Sequence, residues 1–202
     1  MQETVLTKSL SAPFVDRREI LRYAGVREGS PEMEALLDEC LGELGGKVTQ
    51  RVCYLHTQVR LDGDCADLGF ARVTSRSLCK HLGDCDGTIV FCATVGVELD
   101  RLIARYSRIS PARAVMLDAI GTERIEALCD AFEMQVKEEW EEKGKGICPR
   151  FSPGYGDLPL DFQRPLITVL DAPKRIGVAL NESLLMSPSK SVTAIIGLKK
   201  KN

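Results

Sequence analysis

The sequence predicts an α+β fold, a single domain over residues 1–202 with a twisted, largely antiparallel sheet flanked by helices. Three observations point there. Helical and strand periods are mixed along the chain without the regular alternation of a parallel βαβ sheet. Ile176, Val178 and Leu180 form one alternating run and Val192, Ala194 and Ile196 another, which predicts an antiparallel pair closed by a structured loop at Met186-Ser187-Pro188-Ser189. Neither a Gly-x-Gly-x-x-Gly turn nor a P-loop is present to mark a nucleotide-binding parallel sheet.

From the N-terminus, Asp16 precedes Ile20, Leu21 and Ala24 on one helical face, and Gly25 closes a short amphipathic helix. Ser30-Pro31 supplies an N-cap and a first-turn proline, and Met33, Leu36, Leu37, Cys40, Leu41 and Leu44 recur at helical spacing up to Gly45-Gly46. β-Branched and aromatic residues concentrate between Val48 and Leu61, predicting a strand that the Asp62-Gly63-Asp64 turn ends. A strand from Leu68 to Val73 is expected to pair with it through that turn, followed by a short helix near Ser75 to Leu82. Thr88 to Ala93 is nearly all apolar, the pattern of a strand buried on both faces. Thr94-Val95-Gly96 then turns the chain into a helix from Val97 to Tyr106; such a turn serves ligands or tight packing, and packing is the simpler reading. Ser110-Pro111 starts a long helix whose apolar stripe runs through Val115, Met116, Ala119, Ile120, Leu128, Cys129, Phe132, Val136 and Trp140, with a bend expected at Gly121. Its charged end, Glu138 to Lys143, reads as a solvated face. Further on, Asp161 is placed to cap a helix that tolerates Pro165 in its first turn and turns Leu166, Ile167, Val169 and Leu170 inward as far as Ala172-Pro173.

A hydrophobic content of 44% allows a substantial core. Lys+Arg 27 against Asp+Glu 29 gives a net charge of −2, so no nucleic-acid surface is expected, and the Lys199-Lys200-Lys201 tail reads as a solvated end. No apolar run approaches the roughly 18 residues that span a bilayer, and the N-terminus lacks the charged-then-apolar order of a signal peptide. A cytoplasmic protein without membrane contact is the expectation. The 8 cysteines, at 40, 53, 65, 79, 85, 92, 129 and 148, contain no C-x-x-C pair and are expected to be free thiols that hold no metal. Cys79 and Cys92 fall at apolar spacings and read as small core residues, and His56 and His81 are too few for a metal cage.

The run Arg150-Phe151-Ser152-Pro153-Gly154-Tyr155-Gly156-Asp157-Leu158-Pro159 has no regular period. Pro153 and Pro159 fix φ and restrict the preceding residue, while Gly154 and Gly156 permit positive φ and close backbone approach. The product is a rigid shelf with exposed N–H groups. Arg150 adds a planar fork for a carboxylate or phosphate, and Tyr155 a flat face for an adenine or a sulfonium cation. Read alone, the same residues equally describe a proline-rich connector.

Arg150-x-x-Pro153-Gly154-Tyr155, then Gln163, Ile176-Gly177, Asn181-Glu182-Ser183 and Met186-Ser187-Pro188-Ser189-Lys190-Ser191-Val192-Thr193 resemble, in order and spacing, the activation domain of vitamin B12-dependent methionine synthase. The likeness covers the last quarter of the chain. It extends weakly upstream through Ala93-Thr94-Val95-Gly96, which is similar to stand-alone versions of the domain. The resemblance implies the same α+β fold, with residues 1–149 as scaffold and 150–197 carrying the ligand loop and C-terminal strands. It implies S-adenosylmethionine as ligand: Arg150 on its carboxylate, Ser152, Pro153 and Tyr155 lining the site, and Gly154 allowing close approach. Ile195 and Ile196, followed by Gly197, fall where the fused forms carry aromatic ligand contacts near the last strand. Leu160-Asp161-Phe162 replaces a histidine-containing turn. The family's chemistry is reductive remethylation of cob(II)alamin with one electron from flavodoxin or another low-potential donor. It implies no acid, base or nucleophile among the side chains. Since 202 residues leave no room for corrinoid-, homocysteine- or folate-binding domains, cobalamin would be carried by a partner, a corrinoid-dependent methionine synthase lacking its own activation domain. The competing class is a non-enzymatic small-molecule-binding or assembly module that keeps the fold without using the methyl donor.

Overall fold

The computed structural model describes residues 4–11, 14–26 and 30–200. A first strand that carries no clear sequence signal, β1 (Leu6–Ser9), precedes the helices. The Asp16 carboxylate accepts from the N–H groups of Arg18 and Glu19 to start α1 (Arg17–Tyr23). The Ser30 hydroxyl accepts from the Met33 N–H to start α2 (Pro31–Leu44). The Ser30 cap is the one the sequence predicts.

The expected strand from Val48 to Leu61 is two strands, β2 (Arg51–Gln58) and β3 (Arg60–Asp62), because the chain leaves the main sheet at Val59. The expected Leu68–Val73 strand is corrected as well. β4 (Cys65–Asp67) and β5 (Arg72–Thr74) flank a turn in which the Asp67 carboxylate accepts from the Gly69 N–H at 2.9 Å and the Ala71 carbonyl accepts from the Leu68 N–H at 3.0 Å. That local bonding outcompetes strand pairing over Leu68 to Ala71. β3, β4 and β5 form a small antiparallel sheet of their own.

Then follow α3 (Arg76–His81), β6 (Cys85–Thr94), α4 (Glu98–Tyr106), α5 (Pro111–Glu141) and β7 (Lys145–Ile147). α5 runs unbroken through Gly121, where a Cβ would lie 2.9 Å from Cγ of Lys190; the missing side chain makes room for the lysine stem and marks no bend. Val115, expected in its apolar stripe, is 52% exposed, whereas Glu123 and Arg124 are buried. Gly96 packs against Thr49, whose Oγ1 lies 2.3 Å from where a Cβ would stand, so the Thr94-Val95-Gly96 turn is a packing turn.

A 3-10 turn at Leu160–Phe162 contains Asp161, so that residue does not cap α6 (Gln163–Val169), which has no side-chain cap. α7 (Ala172–Ile176) takes up Ile176 and ends at Gly177, which adopts φ +75°. The predicted antiparallel pair is therefore regrouped. β8 (Ala179–Leu180) pairs with β9 (Met186–Ser187), while β10 (Ser191–Lys200) lies between β6 and β7. Lys199 and Lys200 belong to that strand and pair with Gly146 and Lys145, so they are not a loose tail; Lys201 lies outside the described residues.

The main sheet has the order β1-β2-β6-β10-β7 and every described pairing is antiparallel. Because side chains alternate across a strand, it buries both faces. Val52, Tyr54, Phe91, Ala93, Ala194 and Ile196 meet α1, α2, α4 and α5, and Cys53, Leu55, Val90, Cys92 and Ile195 meet α3, α6 and α7. Cys79 and Cys92 are core residues. The segment after β7 crosses from the first layer to the second, and a cavity opens at that crossing.

Candidate functional site

The cavity has a volume of about 310 Å³ and is walled by α5 (Glu126), the loop after β7 (Arg150, Phe151, Ser152, Pro153, Tyr155), α6 (Gln163), β9 (Met186) and β10 (Val192, Thr193). That volume is at the lower end of small-molecule sites. Its walls mix polar groups, from Glu126, Arg150, Ser152, Tyr155, Gln163 and Thr193, with the apolar Phe151, Pro153, Met186 and Val192.

Arg150 is held at the rim by three carboxylates of α5. Its Nη1 donates to Asp130 at 2.6 Å and Glu133 at 3.0 Å, and its Nη2 to Glu126 at 2.8 Å. Glu126, Asp130 and Glu133 fall at i, i+4 and i+7, one face of the helix, and this spacing is the sequence signal that could have revealed them. Burial works to lower the Arg150 pKa, but hydrogen bonding to Asp130 and the surrounding negative charge outweigh it, and the pKa is raised. The three contacts use three of the five guanidinium donors. One cation among three carboxylates also leaves the rim with an excess of two negative charges. Beneath it, burial pushes the Cys129 thiol up to about 12, so that sulfur is not a nucleophile here.

The loop is fastened at both ends. Phe151 exchanges two backbone hydrogen bonds with Ile195 of β10, at 2.8 and 2.9 Å. Asp157 accepts from the Ser75 hydroxyl at 2.6 Å and from the N–H groups of Arg76 and Ser77 at 2.9 and 3.0 Å, clasping the head of α3. These bonds, the Ser75 hydroxyl foremost, hold the Asp157 carboxyl well below the usual carboxylate range. A depressed folded value means that the clasp is at full strength above the ordinary range and is lost only as pH falls through the depressed one. Between the anchors, the N–H groups of Gly154, Tyr155 and Leu158 donate to the carbonyls of Leu158, Ser152 and Tyr155. The shelf is bonded within itself, and contrary to expectation these N–H groups are engaged there and are not offered to a ligand.

Gly156 has φ +56°, and a Cβ there would lie 2.8 Å from Cβ of Ser77. Gly156→Ala is therefore expected to destabilise the protein by about 1–3 kcal/mol, from left-handed strain plus the clash. Urea unfolding measures it. Gly144→Ala, at φ +73° in open space, reports strain alone, and an equal cost at both sites would dismiss the Ser77 contact as the cause.

Of the residues singled out from sequence, Arg150, Ser152, Pro153 and Tyr155 line the cavity together, with Tyr155 67% exposed at its mouth, and Gly154 sits in the same turn at φ +94°. Ile195 and Ile196 do not join them. Both are 0% exposed and point into the two opposite cores, as neighbours on a strand must. Gly197, next to them, has no room for a side chain, since a Cβ would lie 2.6 Å from Sγ of Cys85. The β10 positions that reach the cavity are Val192 and Thr193. Phe151 and Met186 were also missed, because apolar residues that wall a cavity look in sequence like any core residue. His81 supports the wall from behind, its Nε2 2.7 Å from the Pro149 carbonyl and its ring 5.1 Å from that of Phe151. Among the described residues, no group of three or more His, Cys, Asp or Glu side chains is arranged to hold a metal ion.

A two-faced antiparallel sheet, flanked by helices, with a structured loop folded over a polar-rimmed cavity defines an α+β domain. The chain belongs to the family of the vitamin B12 dependent methionine synthase activation domain, whose model matches residues 77–202. Its fold is also that of a crystal structure of the MetH reactivation domain bound to AdoHcy, with a TM-score of 0.72 at 16% sequence identity, covering 96% of this chain and 78% of that one.

Proposed function

We propose that this protein binds S-adenosylmethionine in the cavity beside Arg150 and presents its methyl group to cobalamin carried by a separate, corrinoid-dependent methionine synthase that lacks its own activation domain. The observation that carries this reading is the Arg150-x-x-Pro153-Gly154-Tyr155 loop of the activation-domain family forming one wall of a ligand-sized cavity. At the partner's cobalt, one electron from flavodoxin or another low-potential donor reduces the cob(II) state, and transfer of the methyl group breaks the S–C bond and leaves S-adenosylhomocysteine.

This chain's own residues bind and orient. The two remaining Arg150 donors suit the ligand's carboxylate, and Glu126 suits its ammonium. The negative rim favours the sulfonium, which is cationic, over the neutral thioether left after transfer, so product leaves more readily than substrate. None of this requires a proton acceptor or nucleophile, and proximity is the whole of the contribution. Tyr155, Gly154 and Gly156 are exposed, so the cavity mouth can face a corrinoid ring. Docking is transient, because the partner must release this domain to resume turnover. No helix among the described residues is long and apolar enough to cross a membrane, and the reading places the reaction in the cytoplasm.

The test mixes the protein with a methionine synthase that lacks an activation domain and is loaded with cob(II)alamin, then adds S-adenosylmethionine and a low-potential reductant. Formation of methylcobalamin, followed by absorbance, is expected to depend on this protein. Binding of S-adenosylmethionine without any such dependence would leave a binding module that does not use the methyl donor.

A further inference from the structure

Gln163 opens α6 and is only 6% exposed, yet its Oε1 makes no hydrogen bond. A buried amide oxygen without a partner is costly, and native folds keep few of them. It stands among the apolar residues Phe162, Leu166 and Ile167, where a methionine or leucine would pack without that cost. Gln163 also lines the cavity, whose other walls include the apolar Met186 and Val192 as well as the charged Arg150 and Glu126. An unsatisfied, neutral carboxamide in a cavity wall suits a flat, neutral group that offers a donor and an acceptor side by side. A cation would instead be drawn to the carboxylates.

The 6-amino group and N7 of adenine present that pair, and a glutamine amide matches it with two hydrogen bonds. We propose that Gln163 is the residue that reads the purine of the ligand, its Oε1 accepting from the 6-amino group and its Nε2 donating to N7; this rests on the S-adenosylmethionine reading of the cavity. Gln163 then determines specificity for adenine over hypoxanthine, in which the 6-position is a carbonyl acceptor. Oε1, which has no partner within the protein, finds one in the ligand.

The experiment titrates S-adenosylhomocysteine and S-inosylhomocysteine into the wild type, Gln163→Met and Gln163→Glu by calorimetry, with thermal unfolding of each free protein alongside. The wild type is expected to prefer the adenine compound by about tenfold or more. Gln163→Met should lose about tenfold in affinity for S-adenosylhomocysteine, bind both compounds nearly alike, and unfold at the same or a higher temperature. Gln163→Glu should weaken both compounds but widen the preference, since its carboxylate still accepts from the amino group and repels the carbonyl. It also keeps the test open should the methionine variant not fold. A preference that neither variant changes would overturn the role of Gln163 and leave the cavity reading intact. Failure of the wild type to bind either compound would overturn both.

Discussion

Arg124→Met should lower the free energy of unfolding by about 3–5 kcal/mol, the cost of leaving one member of a buried ion pair without its partner. Glu123 and Arg124 are neighbours in the middle of α5, and their side chains are only 6% and 5% exposed. The guanidinium binds both carboxylate oxygens of Glu123 and donates to the Phe14 carbonyl at 2.9 Å, while Glu123 accepts from the Asp16 N–H at 3.0 Å. The pair thus fixes the segment that leads into α1 against the long helix. Methionine keeps the length of the side chain but supplies no charge, so the Glu123 carboxylate is left buried with the Asp16 N–H alone. Glu123→Gln combined with Arg124→Met should recover most of the loss, because a carboxamide still accepts from that N–H and carries no charge. Urea unfolding of the three proteins decides it. A single variant within 1 kcal/mol of wild type, on the scale of an exposed pair, would mean that water reaches the site.

That pair also shows where sequence reading stops. Glu123 and Arg124 look in sequence like the polar face of a helix, and Val115 like its core; the burial of the first two and the exposure of the third follow from segments that are distant along the chain. Some local chemistry was legible: the cap at Ser30, and the apolar run of β6 between two cores. Strand partners were not. Alternation marks Val192, Ala194 and Ile196 as strand, but it carries no information on pairing, and β10 pairs with β6 and β7, not with the segment from Ile176 to Leu180. The loop from Arg150 to Pro159 was legible as a rigid piece because proline and glycine act through the backbone. The carboxylates around Arg150 were overlooked because a set at i, i+4 and i+7 on a charged helix is ordinarily a solvated face.

Those carboxylates change what removing Arg150 should do. Arg150→Ala is expected to weaken S-adenosylhomocysteine binding by about 1.5–3 kcal/mol, the value of a charge-assisted hydrogen bond to the carboxylate. S-Adenosylmethionine should lose less. Without the guanidinium, Glu126 in the cavity wall and Asp130 and Glu133 beside it on α5 leave three negative charges and no cation, which attracts a sulfonium while gaining nothing from a neutral thioether. The ratio of the two affinities should therefore move toward the sulfonium, and added salt should shrink that shift. The same substitution weakens the fold, since it removes the three contacts joining the loop to α5 and leaves like charges close together on one helix face. The raised Arg150 pKa means that its contribution is full below the unfolded value and lost only above the folded one, so the stability loss should be constant between pH 6 and 9. Arg150→Lys keeps the charge without the planar fork and should fall between the two in both assays. Titration calorimetry with each compound at low and high salt, with unfolding measured on the same samples, provides the comparison. Equal losses for the two compounds would show that the carboxylates do not sense the sulfur, and an unchanged affinity for both would move the ligand's carboxylate away from Arg150.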